Sequence, residues 1–375
     1  MNFSLTDDQV LIRDAAVDFL SQRSDSAAVR AAMETETGFD PALWAQIGAE
    51  LGWCATTIPE DLGGLGLGQV ELVLLMEQMG RRLSCAPFLS TVVLAGNALL
   101  QQGSEAAQAR YLPRIAAGEL RATLGLAGRG VGLGAPGVRA LRSDAGWRLE
   151  GSLAHVVDGA SAELILVVAL VDDGLGLFAV PRETSGLDAR PLQTWDLTRR
   201  VARLELSGVA LDAAARIDGD AMNLQTLRQV EARAALLLAA EQLGGAQQCL
   251  DLTLAYTAER VQFGQKIASF QAVKHRCAQM MVEIEATRSL VYGAAALADS
   301  GGDAGAVMLE AGAAKARASE TLFFCAQEAV QLHGGVGFTW EYDPHLYLKR
   351  AQASAHWLGT ADQWRERIAA ALLDA

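Results

Sequence analysis

The spacing of hydrophobic residues changes twice along this chain of 375 residues. Residues 1–120 have a helical spacing, residues 121–220 have short apolar or alternating runs, and residues 221–375 return to a helical spacing. Breaks rich in Gly, Pro and Asp separate the runs. The pattern predicts an α+β protein with three domains: an N-terminal helical domain, a middle antiparallel β domain and a C-terminal four-helix bundle.

The N-terminal part carries local signals of helix starts and ends. Thr6 and Gln9 have the spacing of a capping box at the start of a helix. Residues 59–64 read PEDLGG and indicate a turn, after which residues 70–79 have the apolar spacing of a second helical stretch. The run at residues 110–115, which reads RYLPRI, closes this helical part.

Strands and then long helices are predicted for the rest of the chain. Residues 147–151, 163–171 and 201–206 are apolar or alternating, which is typical of strands in a small antiparallel sheet. Four long helical segments follow, and short glycine-containing connections join them into a bundle. These segments are residues 224–259, 270–299, 304–333 and 344–373.

A glycine-rich stretch in the middle domain formally matches a dinucleotide-binding fingerprint. Gly132, Gly134 and Gly137 have the GxGxxG spacing, which requires a strand before the motif and a helix after it. Here Pro136 interrupts the motif, and residues 138–141 have the character of a strand. We therefore interpret this stretch as a surface loop.

Composition and charge exclude several classes of protein. The net charge of −13 argues against a nucleic-acid partner, because a phosphate backbone requires a basic face. An acidic protein still binds a phosphorylated cofactor through a few arginines and helix N-termini. Five scattered cysteines without CxxC spacing favour reduced thiols over a disulfide or metal framework. Because the sequence has neither a signal peptide nor a membrane span, we expect a soluble cytoplasmic protein.

Two motifs lie at helix ends in the third part. Residues 260–264 read RVQFG, and their arginine, aromatic ring and glycine suit the binding of a diphosphate and an adenine. Residues 331–338 read QLHGGVGF, and three glycines after a long helix allow a cap with free backbone amides and a close backbone approach. Taken alone, each motif is better explained as an ordinary helix junction.

Taken together, the two motifs resemble the paired signatures of the acyl-CoA dehydrogenase family. Residues 59–68 (PEDLGGLGLG) and 110–120 (RYLPRIAAGEL) resemble that family too, so the resemblance covers essentially the whole chain. It implies a flavoprotein that removes the α and β hydrogens of an acyl-CoA thioester. FAD takes the β hydride, and an electron-transfer flavoprotein reoxidises it.

In this family the FAD lies across a dimer interface. The two motifs of one subunit reach the adenine and diphosphate of the flavin that its neighbour mainly holds. The resemblance assigns that role here to Arg260, Phe263, Gln271, Gln331, Gly334 and Gly335.

The carboxylate base that the family reaction needs is missing from both of its usual positions. The family's Y-E-G-T segment corresponds to residues 357–360, which read WLGT, so Leu358 stands at the base position. Some members carry the base on the first long helix of the C-terminal domain, where this chain has Ala234. Glu231 is nearly one turn away, and we expect it to be a solvated glutamate near the helix start. Glu241 is about two turns beyond Ala234, which is too far to replace the base.

The family's contacts to the flavin ring are missing as well. Its T-E-P-x-x-G-S-D loop corresponds to residues 126–129, where the hydroxyl and the acidic residue are absent. Its W-x-T/S segment corresponds to residues 155–157, and Val157 offers no donor or acceptor to the ring. Residues that would serve the chain's own flavin are therefore missing, whereas residues that would serve a neighbour's flavin are present.

Three hypotheses follow from this asymmetry. In the first, which we favour, the chain is the base-lacking subunit of a heteromeric bacterial acyl-CoA dehydrogenase and completes the FAD site of a catalytic paralogue. Such subunits occur among relatives that act on bulky or dicarboxylic acyl-CoAs, as in fatty acid or steroid side-chain catabolism. In the second, the chain is a self-sufficient dehydrogenase or related flavoenzyme with a displaced base. In the third, it is a flavin-free scaffold. Family membership implies a dimer or tetramer, with itself or with a paralogue.

Overall fold

The computed structural model describes residues 4–126, 136–172, 174–219 and 222–373. The N-terminal helices are α1 (Asp7–Arg23), α2 (Ser26–Glu34), α3 (Pro41–Ala45), α4 (Gln69–Arg81), α5 (Asn97–Gln102) and α6 (Glu105–Ala116). The strands are β1 (Ala122–Gly125), β2 (Val138–Ser143), β3 (Gly146–Val157), β4 (Leu164–Val171), β5 (Gly174–Pro181), β6 (Leu187–Pro191), β7 (Val201–Leu211), β8 (Val261–Gln262) and β9 (Gln265–Lys266). The C-terminal helices are α7 (Leu224–Glu259), α8 (Gln271–Asp299), α9 (Ala304–His333), α10 (Pro344–Ser354) and α11 (Ala361–Leu373).

The order of helical, β and helical segments is the one that the hydrophobic spacing predicts. The capping box also forms, since the Thr6 hydroxyl accepts from the Gln9 backbone N–H at 3.2 Å and the Gln9 side chain accepts from the Thr6 N–H at 3.0 Å. The predicted helices at 224–259, 270–299 and 304–333 agree with α7, α8 and α9 to within a residue.

The fourth predicted C-terminal helix is wrong in one respect, because a turn at residues 355–360 divides it into α10 and α11. Leu358 and Gly359 have positive φ angles of 56° and 94°, which a continuous right-handed helix excludes. The apolar spacing runs on through this turn, so periodicity alone does not reveal it.

The chain forms two compact units, each assembled from separate stretches of sequence. The first unit contains residues 1–31, 69–84 and 235–375, and the second contains residues 32–68 and 85–234. Helix α7 contributes its first turns to the second unit and the remainder to the first.

The second unit is built on the large sheet. Its strand order is β1-β4-β2-β3-β7-β6, and β5, which is not on this path, also pairs with β4. The pairing is mostly antiparallel, as predicted, but β1 runs parallel to β4 and β2 meets β4 in a parallel bridge. Alternate residues such as Leu149, Leu153 and Leu204 point into one hydrophobic core. A buried π-helical segment, Leu89–Gly96, is bound to β1 through the Thr91 hydroxyl and the Ala122 backbone at 3.2 Å.

The first unit contains the helical bundle. Helices α4 and α7 cross at two glycines, where a Cβ on Gly80 would lie 1.9 Å from the Glu241 carbonyl oxygen and one on Gly244 would lie 1.8 Å from that of Glu77. Larger side chains at these two positions would therefore push the helix backbones apart. In the described parts of the chain, no helix is both long and apolar enough to cross a membrane.

The glycine-rich stretch of the middle domain lies mostly outside the described residues, since 127–135 are not part of them. The prediction that a strand follows it is confirmed, because β2 begins at Val138. A dinucleotide fingerprint needs a helix at that point.

Candidate functional site

The first motif forms an exposed hairpin between α7 and α8. Strands β8 and β9 pair antiparallel. The two residues of the turn between them, Phe263 and Gly264, have φ angles of 53° and 77°. Positive φ at both central residues is the geometry of a two-residue hairpin turn, for which glycine and asparagine are suited and phenylalanine is not. Phe263 is 91 % exposed, and its ring lies in an edge-to-face arrangement with that of Phe270, with ring centroids 6.2 Å apart.

Arg260 stands at the base of this hairpin. Its backbone is fixed, because its N–H donates to the Tyr256 carbonyl and its own carbonyl accepts from Ile267, both at 2.9 Å. Its side chain is exposed and makes no hydrogen bond or ion pair within the described chain. An unpaired guanidinium in a protein of net charge −13 is available to an external anion.

The second motif ends α9 with an exposed glycine turn. Gly334 has a φ of 65° and a ψ of −143°, a backbone conformation that essentially only glycine adopts. Gly335 differs, because its φ is ordinary and a Cβ there would meet nothing within 4 Å. Nothing in the described chain therefore requires glycine at 335.

A stack of aromatic rings brings the two motifs together. Tyr256, one turn before Arg260, stacks on His333, the last residue of α9, with centroids 4.4 Å apart and ring planes 20° apart. The His333 ring bonds the Ala329 carbonyl at 2.7 Å, and burial lowers the pKa of the imidazole. The helix ends that carry the motifs are thus adjacent within the first unit. Sequence analysis missed Tyr256, whose aromatic side chain one helical turn before the motif was the available signal.

The six residues assigned to the neighbour's flavin have one property in common. Each of them lies on the surface of the isolated chain. They are Arg260, Phe263, Gln271, Gln331, Gly334 and Gly335. Their chemistry fits a diphosphate and an adenine: a free guanidinium, an exposed ring, side-chain amides and bare backbone.

Leu358, at the family's base position, is a buried residue in a fixed turn. Its side chain is 4 % exposed, and its carbonyl accepts from the Trp364 indole N–H at 2.8 Å. An aliphatic side chain there has no group that takes up a proton.

The second base position is also apolar. Ala234 is 1 % exposed in α7. The expectation for its neighbour Glu231 was wrong, since this residue is 0 % exposed rather than solvated. Its neighbours Val230 and Ala232 on α7 are buried too, each 1 % exposed, whereas the start of the helix at Leu224 is 53 % exposed. Glu241 is buried too, and Arg350 donates to its carboxylate at 2.6 Å, so this carboxylate is engaged in an ion pair.

The segment aligned with the family's ring contacts offers a flavin no side-chain hydrogen bond at Val157. That residue is buried, and its carbonyl already accepts from the Thr123 hydroxyl at 2.6 Å. The next residue, Asp158, accepts from the Ser90 hydroxyl at 2.6 Å within the second unit. Ala127, in the other aligned loop, lies outside the described residues. At Val157, therefore, this chain does not offer the side-chain contact that would hold a flavin ring.

A cavity of about 720 Å³ in the first unit does not coincide with either motif. It lies among α1, α4, α7 and α8. Its polar side chains bind one another, since Glu77 accepts from Tyr292 and Arg288, Arg288 donates to Gln247, and Arg81 pairs with Asp251. This network has the character of a structural support between helices.

The chain has a helical–β–helical order of elements. The ends of α7 and α9, which carry the two motifs, expose side chains and backbone that fit a dinucleotide cofactor. Comparison with known proteins agrees. The family patterns described as acyl-CoA dehydrogenase, N-terminal domain, and acyl-CoA dehydrogenase, C-terminal domain, match residues 6–119 and 229–373. Acyl-CoA dehydrogenase IpdE2 of Mycolicibacterium smegmatis is 33 % identical over 366 residues, which cover 98 % of this chain and 99 % of the relative. This chain belongs to the acyl-CoA dehydrogenase family of oxidoreductases.

Two solved structures of similar fold carry paired protein names, and one of them is named as a complex. The ChsE4-ChsE5 complex from Mycobacterium tuberculosis contains a chain that superposes with a TM-score of 0.91 at 29 % identity, with complete coverage of both chains. A variant of the Tcur3481-Tcur3483 steroid acyl-CoA dehydrogenase superposes with a TM-score of 0.87 at 31 % identity and 98 % coverage of each chain. The predictions of family and fold class are confirmed.

Proposed function

We propose that this chain is the non-catalytic subunit of a heteromeric acyl-CoA dehydrogenase and completes the FAD site of a catalytic paralogue. One observation carries the proposal: the residues for a neighbour's flavin are all exposed, while the positions for the chain's own chemistry are apolar. Phe263, 91 % exposed on a left-handed backbone, represents the first set, and Leu358, 4 % exposed, represents the second.

In the proposed pair, FAD bound mainly by the partner would supply the hydride acceptor for the oxidation of the acyl chain. The residues of this chain bind and orient the cofactor. Arg260 binds the diphosphate through charge-assisted hydrogen bonds, and Phe263 packs against the adenine. Gly334 and Gly335 let the backbone approach the cofactor closely.

The substrate and remaining partners are part of the same proposal. The names of the two-protein neighbours support a heteromer, and one of those proteins is a steroid acyl-CoA dehydrogenase. We infer a bulky acyl-CoA as substrate, an electron-transfer flavoprotein as acceptor and a cytoplasmic location. The division into domains at residues 1–120, 121–220 and 221–375 also remains our proposal.

The test is to purify the chain alone and after co-expression with a paralogous acyl-CoA dehydrogenase subunit, and to measure visible absorption and mass in solution. We expect no stoichiometric flavin in the chain alone and one flavin for each pair of subunits after co-expression. A yellow chain that oxidises an acyl-CoA by itself contradicts the proposal.

The role of Arg260 has its own test in the co-expressed pair. Arg260→Ala should weaken flavin retention by about 10- to 100-fold, because a charge-assisted hydrogen bond contributes about 1.5–3 kcal/mol. Arg365→Ala is the matched control, since Arg365 is exposed and carries only surface ion pairs with Glu320 and Asp362. Equal flavin loss in both variants would exclude a specific role for Arg260.

A second candidate function, a self-sufficient dehydrogenase, is favoured by the complete burial of Glu231. A buried carboxylate close to the alternative base position has an environment that suits a general base. This candidate predicts that the chain alone binds flavin and that Glu231→Gln abolishes turnover while flavin content stays the same. A third, the flavin-free scaffold, is favoured only if co-expression yields neither a complex nor flavin.

A further inference from the structure

Lys315 is a charged residue in the middle of the bundle core. It lies on α9 and is 0 % exposed, with Ala311, Ala314 and Ala318 buried around it. Burying an ammonium group is costly unless hydrogen bonds compensate it. A methionine would fill the same space without this cost, so the charge itself needs an explanation.

The contacts of the ammonium group provide that explanation. Its Nζ donates to the Ser319 hydroxyl at 2.7 Å and to the carbonyl oxygens of Ser354 and Gly359, each at 3.4 Å. Ser354 is the last residue of α10, and Gly359 directly follows Leu358. One lysine of α9 thus bonds both the end of α10 and the turn at the family's base position.

A second donor holds the same turn. The Trp364 indole N–H, from α11, donates to the Leu358 carbonyl at 2.8 Å. Its ring lies so close to Gly312 of α9 that a Cβ there would be 2.5 Å from it. Two consecutive carbonyls, those of Leu358 and Gly359, therefore each have a donor from outside the turn.

These donors act on a strained backbone. Leu358 has a φ of 56°, and the left-handed region costs a residue with a Cβ about 1–2 kcal/mol. Such a conformation persists only where surrounding contacts determine it.

We propose that Lys315 is a positioning residue that holds the 355–360 turn and keeps position 358 in its left-handed conformation. Trp364 supplies a second donor to the same turn. The inference goes beyond the proposed function and does not depend on it. The turn at the family's base position is thus held by two donors, and the side chain that it carries is a leucine.

The test is hydrogen–deuterium exchange of the full chain, followed in peptides that cover residues 355–362. Lys315→Met, which shortens the side chain by one heavy atom and removes its charge, should speed exchange in this segment by about tenfold or more. Thr321→Val is the matched control on the same helix, because it removes a buried hydrogen bond to Thr287 without touching the turn. Equal effects of both variants, or no effect of Lys315→Met, would overturn the proposal.

Two further variants keep the proposal testable if Lys315→Met does not fold. Trp364→Phe retains the ring against Gly312 and removes only the donor, so it too should speed exchange at 355–362. Leu358→Gly removes the need to hold a left-handed leucine, so the effect of Trp364→Phe should be smaller in that background. Additive effects of the two substitutions would show that the donors do not serve position 358. None of these measurements involves flavin or a partner, so their failure would leave the proposed function untouched.

Discussion

At the scale of single residues, Phe263 has an unfavourable left-handed backbone conformation, and no contact within the described chain explains it. Its φ of 53° suits asparagine or glycine, and its exposed ring contributes little to folding. At functional sites such strain is commonly maintained for a contact made elsewhere. For this residue the contact would be the adenine of a flavin held by another subunit.

Phe263→Asn separates folding from cofactor binding. Relief of the left-handed strain offsets the lost edge contact with Phe270, so the free energy of unfolding should change by less than about 1 kcal/mol. Flavin retention in the co-expressed pair should fall about tenfold. Urea unfolding and the ratio of flavin to protein after dialysis measure the two effects. A pair that retains its flavin equally well after the substitution would refute the role of the ring.

Leu358→Glu restores a carboxylate at the family's base position. We expect no turnover of acyl-CoA by the chain carrying this substitution alone, because Val157 offers no side-chain hydrogen bond to a flavin ring. The free energy of unfolding should fall by about 2 kcal/mol or more, since the replaced leucine is 4 % exposed. Assays with an artificial electron acceptor and thermal unfolding provide the measurements. Clear turnover by this single variant would show that our view of the middle domain is wrong.

At the scale of elements, the junction of α9 and α10 contains two buried histidines. Burial lowers the pKa of His333, with the Ala329 carbonyl opposing this effect. Burial also lowers the pKa of His345, and the cations Lys349 and Arg30 lower it further against the opposing charge of Asp343. The folded environment of both imidazoles therefore disfavours their protonated forms.

This junction should make stability depend on pH. The folded pKa of each histidine lies below its unfolded value of about 6.5, so below that pH the unfolded state binds more protons. The free energy of unfolding should fall as pH drops from 7 to 5, by at most about 1.4 kcal/mol per pH unit for each histidine.

Urea unfolding at several pH values tests this dependence. It should be weaker when both His333→Gln and His345→Gln are present, and unchanged by His356→Gln, which alters an exposed residue. The same pH dependence in the double variant and the native sequence would show that these two histidines do not cause it.

At the scale of the whole molecule, the first unit exposes several apolar side chains on the β8–β9 hairpin and on α8. Val261, Phe263, Met281 and Val282 are all more than half exposed on the hairpin and α8. Where exposed apolar side chains form a contiguous patch, that patch generally marks an interface. We expect a partner subunit to cover this surface.

Val282→Glu should prevent assembly without disturbing the fold, because this side chain is 60 % exposed. Sedimentation of the co-expressed proteins should then show separate subunits, and the flavin should be lost with the complex. Leu11→Glu on α1 is the control, since Leu11 is 67 % exposed but lies outside the hairpin and α8. An intact complex with Val282→Glu would move the interface to another face.

The residues of the candidate site were predictable from the sequence, but their contacts and exposure were not. The residues of the two motifs and the leucine at 358 are visible in the sequence, because a motif is a local string. Two features depend on packing between segments far apart in the chain. The guanidinium of Arg260 makes no bond to the described residues, and Tyr256 stacks on His333 and so joins the two helix ends. A sequence pattern contains no information about such contacts beyond the residue types.

The sequence by itself determined the order of helices and strands, the family and the lack of a carboxylate at positions 358 and 234. Hydrophobic periods and motif letters are local, so folding does not change them. The tertiary structure alone decided which polar residues are buried. It placed Glu231 and Lys315 in the interior, and it divided the last predicted helix at Leu358. Burial and turn geometry depend on which distant segments pack together. The contact of the Lys315 ammonium group with the carbonyls of Ser354 and Gly359 results from such packing.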